Sequence, residues 1–298
     1  MLALFLIPAL LGLALIMDGG DDTEADNDIA EDVDPIDPPQ TGPDTTTVLT
    51  GNQDFSGFQG PDRVEGSDAA NEISGQGGND FLQGFGGNDS IFGGTGNDII
   101  YAGDGNDAVE GGFGNDRIFL GDGDDTYTPI DDADADRGND FVRGGAGDDG
   151  VIDLSGSDTI YGDSGDDILA TFGTGQTPDA PDTIDGGAGD DALFGDNADV
   201  MTGGTGTDVF SIIKPANSPS EEVIITDFST TDDTLALFVP DGNSDTETVD
   251  LRYDPSENLV RAFWRGDEVA VLNGLTSADI PNVQVAVFDA QDLANGSF

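Results

Sequence analysis

Residues 93–101 read GGTGNDIIY and residues 111–119 read GGFGNDRIF, and the nine residues between them, AGDGNDAVE, keep the same frame. Upstream the frame extends back to Gly57 through GFQGPDRVE, GSDAANEIS, GQGGNDFLQ and GFGGNDSIF. Downstream LGDGDDTYT carries it to Thr128. Six residues, PIDDAD, then intervene, and the frame resumes at Ala135 with ADRGNDFVR, GGAGDDGVI, DLSGSDTIY and GDSGDDILA. A second insert of six, TFGTGQ, precedes TPDAPDTID and GGAGDDALF, and a short GDNADVMT with a last GGTGTDVFS ends the array at Ser211, giving sixteen units over 57–211. A fixed short period of this kind is the mark of a solenoid.

Position four is Gly in thirteen units and Ala in three. Position six is Asp except in the second unit, which has Asn71, and in the shortened fifteenth, where Asp199 is displaced. Position eight is apolar, as at Val64, Ile73, Leu82, Ile91, Ile100, Val109, Ile118, Tyr127, Val142, Val151, Ile160, Leu169, Ile184 and Leu193. Three residues with the middle one apolar make a minimal strand that points one side chain inward, and the six before it make a turn. Two units then form one turn of a flattened coil. Stacked at about 4.8 Å, eight turns give a body on the order of 38 Å long, with two parallel sheets around a narrow aliphatic core. The fold class read from the array is all-β, a parallel β-roll of nonapeptide repeats. Both inserts follow even-numbered units, so they should leave the roll on the same side, roughly 10 Å apart.

This spacing brings carboxylates from alternate units into the same gap between turns, beside carbonyls that the glycines leave accessible. Hard oxygen ligands in a flexible cage suit Ca²⁺, whereas Mg²⁺ demands a tighter octahedron. The candidate metal ligands are Asp62, Asp80, Asp89, Asp98, Asp107, Asp116, Asp125, Asp140, Asp149, Asp158, Asp167, Asp191 and Asp208. Asn71, Asp182 and Asp199 lie in units that depart from the pattern and stand outside this set. Eight loops per edge leave seven gaps, so two edges offer at most fourteen sites, enough to offset 28 of the 54 net negative charges.

The units resemble the G-G-x-G-x-D-x-U-x repeat of the RTX, or hemolysin-type calcium-binding, proteins, with 93–101 and 111–119 matching in full. The resemblance implies a parallel β-roll with Ca²⁺ between turns and export by a type I secretion machine. It also implies that Asp98 shares an ion with the loop of Asp116, and Asp89 with that of Asp107.

Composition agrees. The chain of 298 residues carries 62 acidic and 8 basic side chains, so a compact form repels itself unless cations or salt intervene, and nucleic acid is excluded as a partner. Cysteine and histidine are both absent, which removes disulfides, thiolate chemistry, imidazole metal sites and the commonest general base. The chain is expected not to be an enzyme.

Residues 1–17 are apolar and read as an export signal or an anchor in contact with a membrane. Residues 18–56, rich in Asp, Pro and Thr, read as an acidic disordered linker. After Ser211 the repeat stops, and segments such as EVIITDF, TLALFVP and NLVRAFW announce a small C-terminal β cap module over 212–298, with a further resemblance to the closing block of RTX proteins; the family's C-terminal secretion signal would then fall in the last stretch, VQVAVFDAQDLANGSF, which carries no sharp motif of its own.

The expected function is that of an extracellular protein, secreted or at the cell surface, that folds on Ca²⁺. The alternative is an adhesin or polysaccharide-binding protein. It would use the outer face of the odd-numbered units, where Phe81, Tyr101, Phe119, Phe141 and Tyr161 accompany Arg63, Arg117 and Arg143. The even face is expected to show small or polar residues besides Phe92, Ile152, Ile168 and Phe194.

Overall fold

The structure is a computed structural model that describes residues 46–128, 138–153, 156–171, 180–214, 221–239 and 248–289. Two sheets of parallel strands run the length of the array. After β1 (Thr46–Val48) and β2 (Phe55–Ser56), the odd sheet takes β3 (Arg63–Ser67), β5 (Phe81–Gly86), β7 (Ile99–Asp104), β9 (Arg117–Asp122), β11 (Phe141–Ala146), β13 (Thr159–Ser164), β15 (Thr183–Ala188) and β17 (Val200–Thr205). The even sheet takes β4 (Glu72–Gly77), β6 (Ser90–Thr95), β8 (Ala108–Phe113), β10 (Thr126–Tyr127), β12 (Gly150–Asp153), β14 (Ile168–Thr171), β16 (Ala192–Gly195) and β18 (Val209–Ile213). Ile100 pairs with Ile118, and Ile91 with Val109, so two units make one turn as the period requires.

Most strands are longer than the minimal three residues. They run from position seven through position three of the next unit, because Gly103 and Asp104 still pair in register with Gly121 and Asp122. Glycine does not end a strand whose neighbours above and below share its conformation. Along each strand positions eight and one face inward, so Ala102 and Leu120 join the isoleucines and leucines of position eight in the core. Burying each Leu or Ile is worth about 1.5–3 kcal/mol, and the stack repeats that gain every turn.

The chain leaves the even sheet after β10 and re-enters the odd sheet at β11. It does the same after β14, re-entering at β15. Both excursions depart from the same side of the roll with only β12 between their points of departure, and pairing continues across them at a spacing of 24 residues, as in Ile118 with Val142. Most residues of the excursions lie outside the described residues, as do residues 1–17.

At the two ends the structure departs from the sequence reading. The segment 18–56 was expected to be linker throughout, yet Thr46–Val48 pairs with β3 and Phe55–Ser56 with β4, adding a turn before the first unit. Open sheet edges recruit short segments through backbone hydrogen bonds, and Leu49 plugs the core beneath them. At the C-terminus β19 (Val223–Ile225) joins β17 and β20 (Thr234–Val239) joins β18. The antiparallel meander of β21 (Val249–Asp254), β22 (Leu259–Trp264) and β23 (Asp267–Asn273) attaches through β23 to β19, and β24 (Gln284–Asp289) pairs with β20. The cap therefore continues both sheets, and its Val260, Trp264 and Leu272 share one core with the repeats.

The outer face of the even sheet also differs from expectation. Ile152, Ile168 and Phe194 lie on it but are buried in a second cluster with Phe238, whose ring lies 6.3 Å from that of Phe194.

Candidate metal centre

Each aspartate at position six stands where a turn enters a strand, with its side chain folded back under the turn. On the odd edge the backbone N–H of Asp62 donates to Oδ1 of Asp80 at 2.7 Å, and the same bond repeats from Asp80 to Asp98, Asp98 to Asp116, Asp116 to Asp140 and Asp140 to Asp158. On the even edge it links Asp89 to Asp107, Asp125, Asp149, Asp167, Asp191 and Asp208 in succession. All thirteen candidate residues thus fall into two columns, one per edge. Asn71, Asp182 and Asp199 stand in the same columns: Asp158 donates to Asp182, Asp182 to Asp199, and Asn71 to Asp89. The local irregularity of their units does not displace them, because the bond is between turns.

The second carboxylate oxygen is the feature that calls for a partner. Oδ2 of Asp80, Asp89, Asp98, Asp107, Asp116, Asp125, Asp149, Asp167 and Asp191 is buried and accepts no hydrogen bond. In seven of the nine it lies against a glycine at position one, whereas Ala102 and Leu120 hold that position in the units of Asp107 and Asp125. A β-carbon built on Gly93 would lie 2.5 Å from Asp98 Oδ2 and 2.4 Å from the carbonyl oxygen of Gly111, one turn on. Leaving a buried polar atom unmatched costs about 1–3 kcal/mol and more for a charge, so nine of them cost on the order of 10 kcal/mol or more, as much as a domain's whole stability.

Titration reflects the same strain. Burial pushes the Asp98 carboxyl up to about 7, against the relief of the N–H it accepts from Asp80, and the nearby charges of Asp80 and Asp140 add to the rise. Burial likewise raises Asp80 to about 6, Asp116 and Asp149 to about 8 and Asp191 to about 9. In the last three, carboxylates of neighbouring turns contribute through repulsion. Among the described residues no three acidic side chains gather into one cluster. Each gap joins the aspartates of two successive turns, and further ligands would have to be backbone carbonyls. Hard anionic and carbonyl oxygens without donors fit a divalent cation of calcium's type.

The RTX calcium-binding nonapeptide repeat, in its four-copy family description, matches residues 56–91, 83–118, 101–128, 130–152, 151–171 and 179–210. The array is an RTX repeat array. Among solved structures, the AlgE6R3 subunit from the Azotobacter vinelandii mannuronan C5-epimerase is 16% identical, with a TM-score of 0.28, over 53% of this chain and 82% of that one. The extracellular lipase LipA from Serratia marcescens is 18% identical, with a TM-score of 0.24, over 78% of this chain and 41% of that one. No curated protein matches.

Two features of the RTX roll were not read from the sequence. Position five carries a second ladder that runs the opposite way: the N–H of Asn97 donates back to Oδ1 of Asn79, Asn115 to Asn97 and Asn139 to Asn115, with Asp148, Asp166 and Asp190 continuing the pattern on the even edge. The recurrent Asn-Asp pair of the units was its visible signal. The other is the hydroxyl of Tyr127, a residue read above only as one of the inward-facing apolar positions. Its hydroxyl donates to Asp140 Oδ2 at 3.0 Å and lies 3.4 Å from Asp153 Oδ2.

The aromatic row of the odd face is present and unbroken. Ring centroids are 5.7 Å apart for Phe81 and Tyr101, 4.7 Å for Tyr101 and Phe119, and 5.8 Å for Phe119 with Phe141 and for Phe141 with Tyr161. Tyr101 and Phe119 stack face to face, 6° from parallel. Arg63 lies over Phe81, and Arg143 pairs with Asp163.

Proposed function

We propose that this chain is an extracellular protein whose RTX roll folds on binding Ca²⁺, and that it has no catalytic activity. The supporting observation is the set of nine buried carboxylate oxygens that accept no hydrogen bond, stacked in two columns. Outside cells free Ca²⁺ is abundant enough to load weak sites of this kind, so an array that closes only when loaded stays open before export and closes after it. A type I secretion route and residues 1–17 as export signal or anchor belong to the same proposal. Far-ultraviolet circular dichroism through a calcium titration in low-salt, chelated buffer tests this. A cooperative gain of β structure supports it, and an unchanged spectrum rejects it.

A second reading, a polysaccharide-binding face, is favoured by the five-ring row. It stands second because Tyr101 and Phe119 stack on each other and Arg63 lies over Phe81, so part of the row is already engaged within the chain. Replacing both Tyr101 and Phe119 with Ser should abolish polysaccharide binding without moving the calcium midpoint if this reading holds.

A further inference from the structure

We propose that Asn71 takes the place of a metal ion, so that the outermost turn of the roll is joined on its even edge by an amide rather than by calcium. This rests on the reading that the aspartate columns take Ca²⁺. Asn71 is 4% exposed and stands at the position that aspartate holds in every later even unit. Those aspartates use Oδ1 for the preceding turn and, from Asp89 to Asp191, leave Oδ2 unmatched. Asn71 leaves nothing over. Its Oδ1 accepts the N–H of Ser67 at 2.9 Å, and its Nδ2 donates to the carbonyl oxygens of Gly51 and Gln53, each at 2.9 Å.

Gly51 and Gln53 lie in the turn between β1 and β2, one turn before Asn71 in the stack. The amide therefore spans the gap between turns and gives its two protons to two carbonyls that converge on it. An aspartate here would bring a carboxylate oxygen up to the same two carbonyl oxygens with no proton among the three. Such a set of oxygens is closed by a hard cation and by nothing else the chain provides there. The sequence choice at residue 71 thus decides whether this gap needs an ion, and Asn makes the N-terminal end of the column self-sufficient.

Native mass spectrometry of the full chain at saturating CaCl₂ tests the proposal. Asn71→Asp should carry one Ca²⁺ more than the wild type, and an equal count overturns the inference. If the wild type itself carries none, the calcium reading fails instead, so the two failures are distinct. Hydrogen exchange gives a second readout should that variant fold poorly. In calcium-loaded Asn71→Ala, amides of residues 46–56 should lose protection while those of 81–122 keep it, and unchanged protection of 46–56 overturns the inference.

Discussion

The backbone N–H of Asp98 donates to Oδ1 of Asp116 at 2.8 Å, eighteen residues and one full turn away, while Asp116 Oδ2 is left without a donor. One oxygen holds the stack and the other creates its demand for a cation. Substitutions that separate the two roles are therefore informative. Asp107→Asn keeps an oxygen to accept the N–H of Asp89 but removes the buried charge. It should raise the β content of the metal-free protein at neutral pH and also raise the calcium midpoint, by on the order of tenfold for a loss of about 1.4 kcal/mol. Asp182→Ala should raise the calcium midpoint less than Asp98→Ala, since both accept an N–H from the preceding turn but only Asp98 is among the nine whose second oxygen is buried without a donor. Titration midpoints followed by circular dichroism decide both.

Acid should partly replace calcium. The folded carboxyls of Asp80, Asp98, Asp116 and Asp191 lie near 6, 7, 8 and 9, above the unfolded value of about 3.9. A raised folded value favours folding fully below the unfolded one, and that contribution is lost as pH rises through the folded values. The chelated protein should accordingly hold more β structure at pH 5 than at pH 8, and the calcium midpoint should fall as pH rises because protons compete for the same oxygens. More β structure at pH 8 than at pH 5 in chelator would contradict the buried placement of these groups.

Gly96 and Gly93, at positions four and one of the same unit, leave room for different neighbours. Gly96 has φ +131°, and a β-carbon on it would sit 1.6 Å from the carbonyl oxygen of Gly78, so Gly96→Ala strains backbone against backbone. Gly93→Ala crowds both the Asp98 carboxylate, at 2.5 Å, and the carbonyl oxygen of Gly111 one turn on, at 2.4 Å. Both should destabilise the calcium-loaded roll in urea by about 1–3 kcal/mol or more, and the second should in addition shift the calcium midpoint.

The ring row contributes through contact between turns. A double-mutant cycle on Tyr101 and Phe119, read by urea unfolding in saturating calcium, should return a coupling of about 0.5–1.5 kcal/mol. A coupling of zero would remove the packing explanation for the row.

The nonapeptide frame made the two sheets, the inward residues and the aspartate columns legible, because a period of eighteen residues per turn places Ile100 over Ile118 and Asp98 over Asp116 whatever the intervening residues are. What the frame could not show were bonds made by residues without a period. Thr46–Val48 and Phe55–Ser56 become strands only because a sheet edge lies beside them. Asp233 extends the even column beyond the array, accepting the N–H of Asp208 at 3.0 Å and that of Ser229 at 2.7 Å, through a spacing of 25 residues that no repeat announces. The opposing ladder at position five was hidden for another reason: Asn and Asp read as turn formers, and the direction of a hydrogen bond leaves no trace in composition.

The steps along the columns also bear on how such a chain avoids closing in the wrong alignment. Where every step is eighteen residues, a segment displaced by a whole turn finds equivalent partners for each N–H, side chain and carboxylate, and little energy separates the true alignment from its neighbours. Here the steps are uneven. Asp116 to Asp140 and Asp158 to Asp182 span 24 residues, while Asp182 to Asp199 and Asp191 to Asp208 span 17. A chain displaced by one turn would have to absorb a mismatch of six or seven residues inside a tight turn, and would bring an aliphatic side chain to Asp140 in place of the Tyr127 hydroxyl. The irregular units thus serve as index marks on an otherwise uniform ruler, giving a repetitive sequence a single way to close.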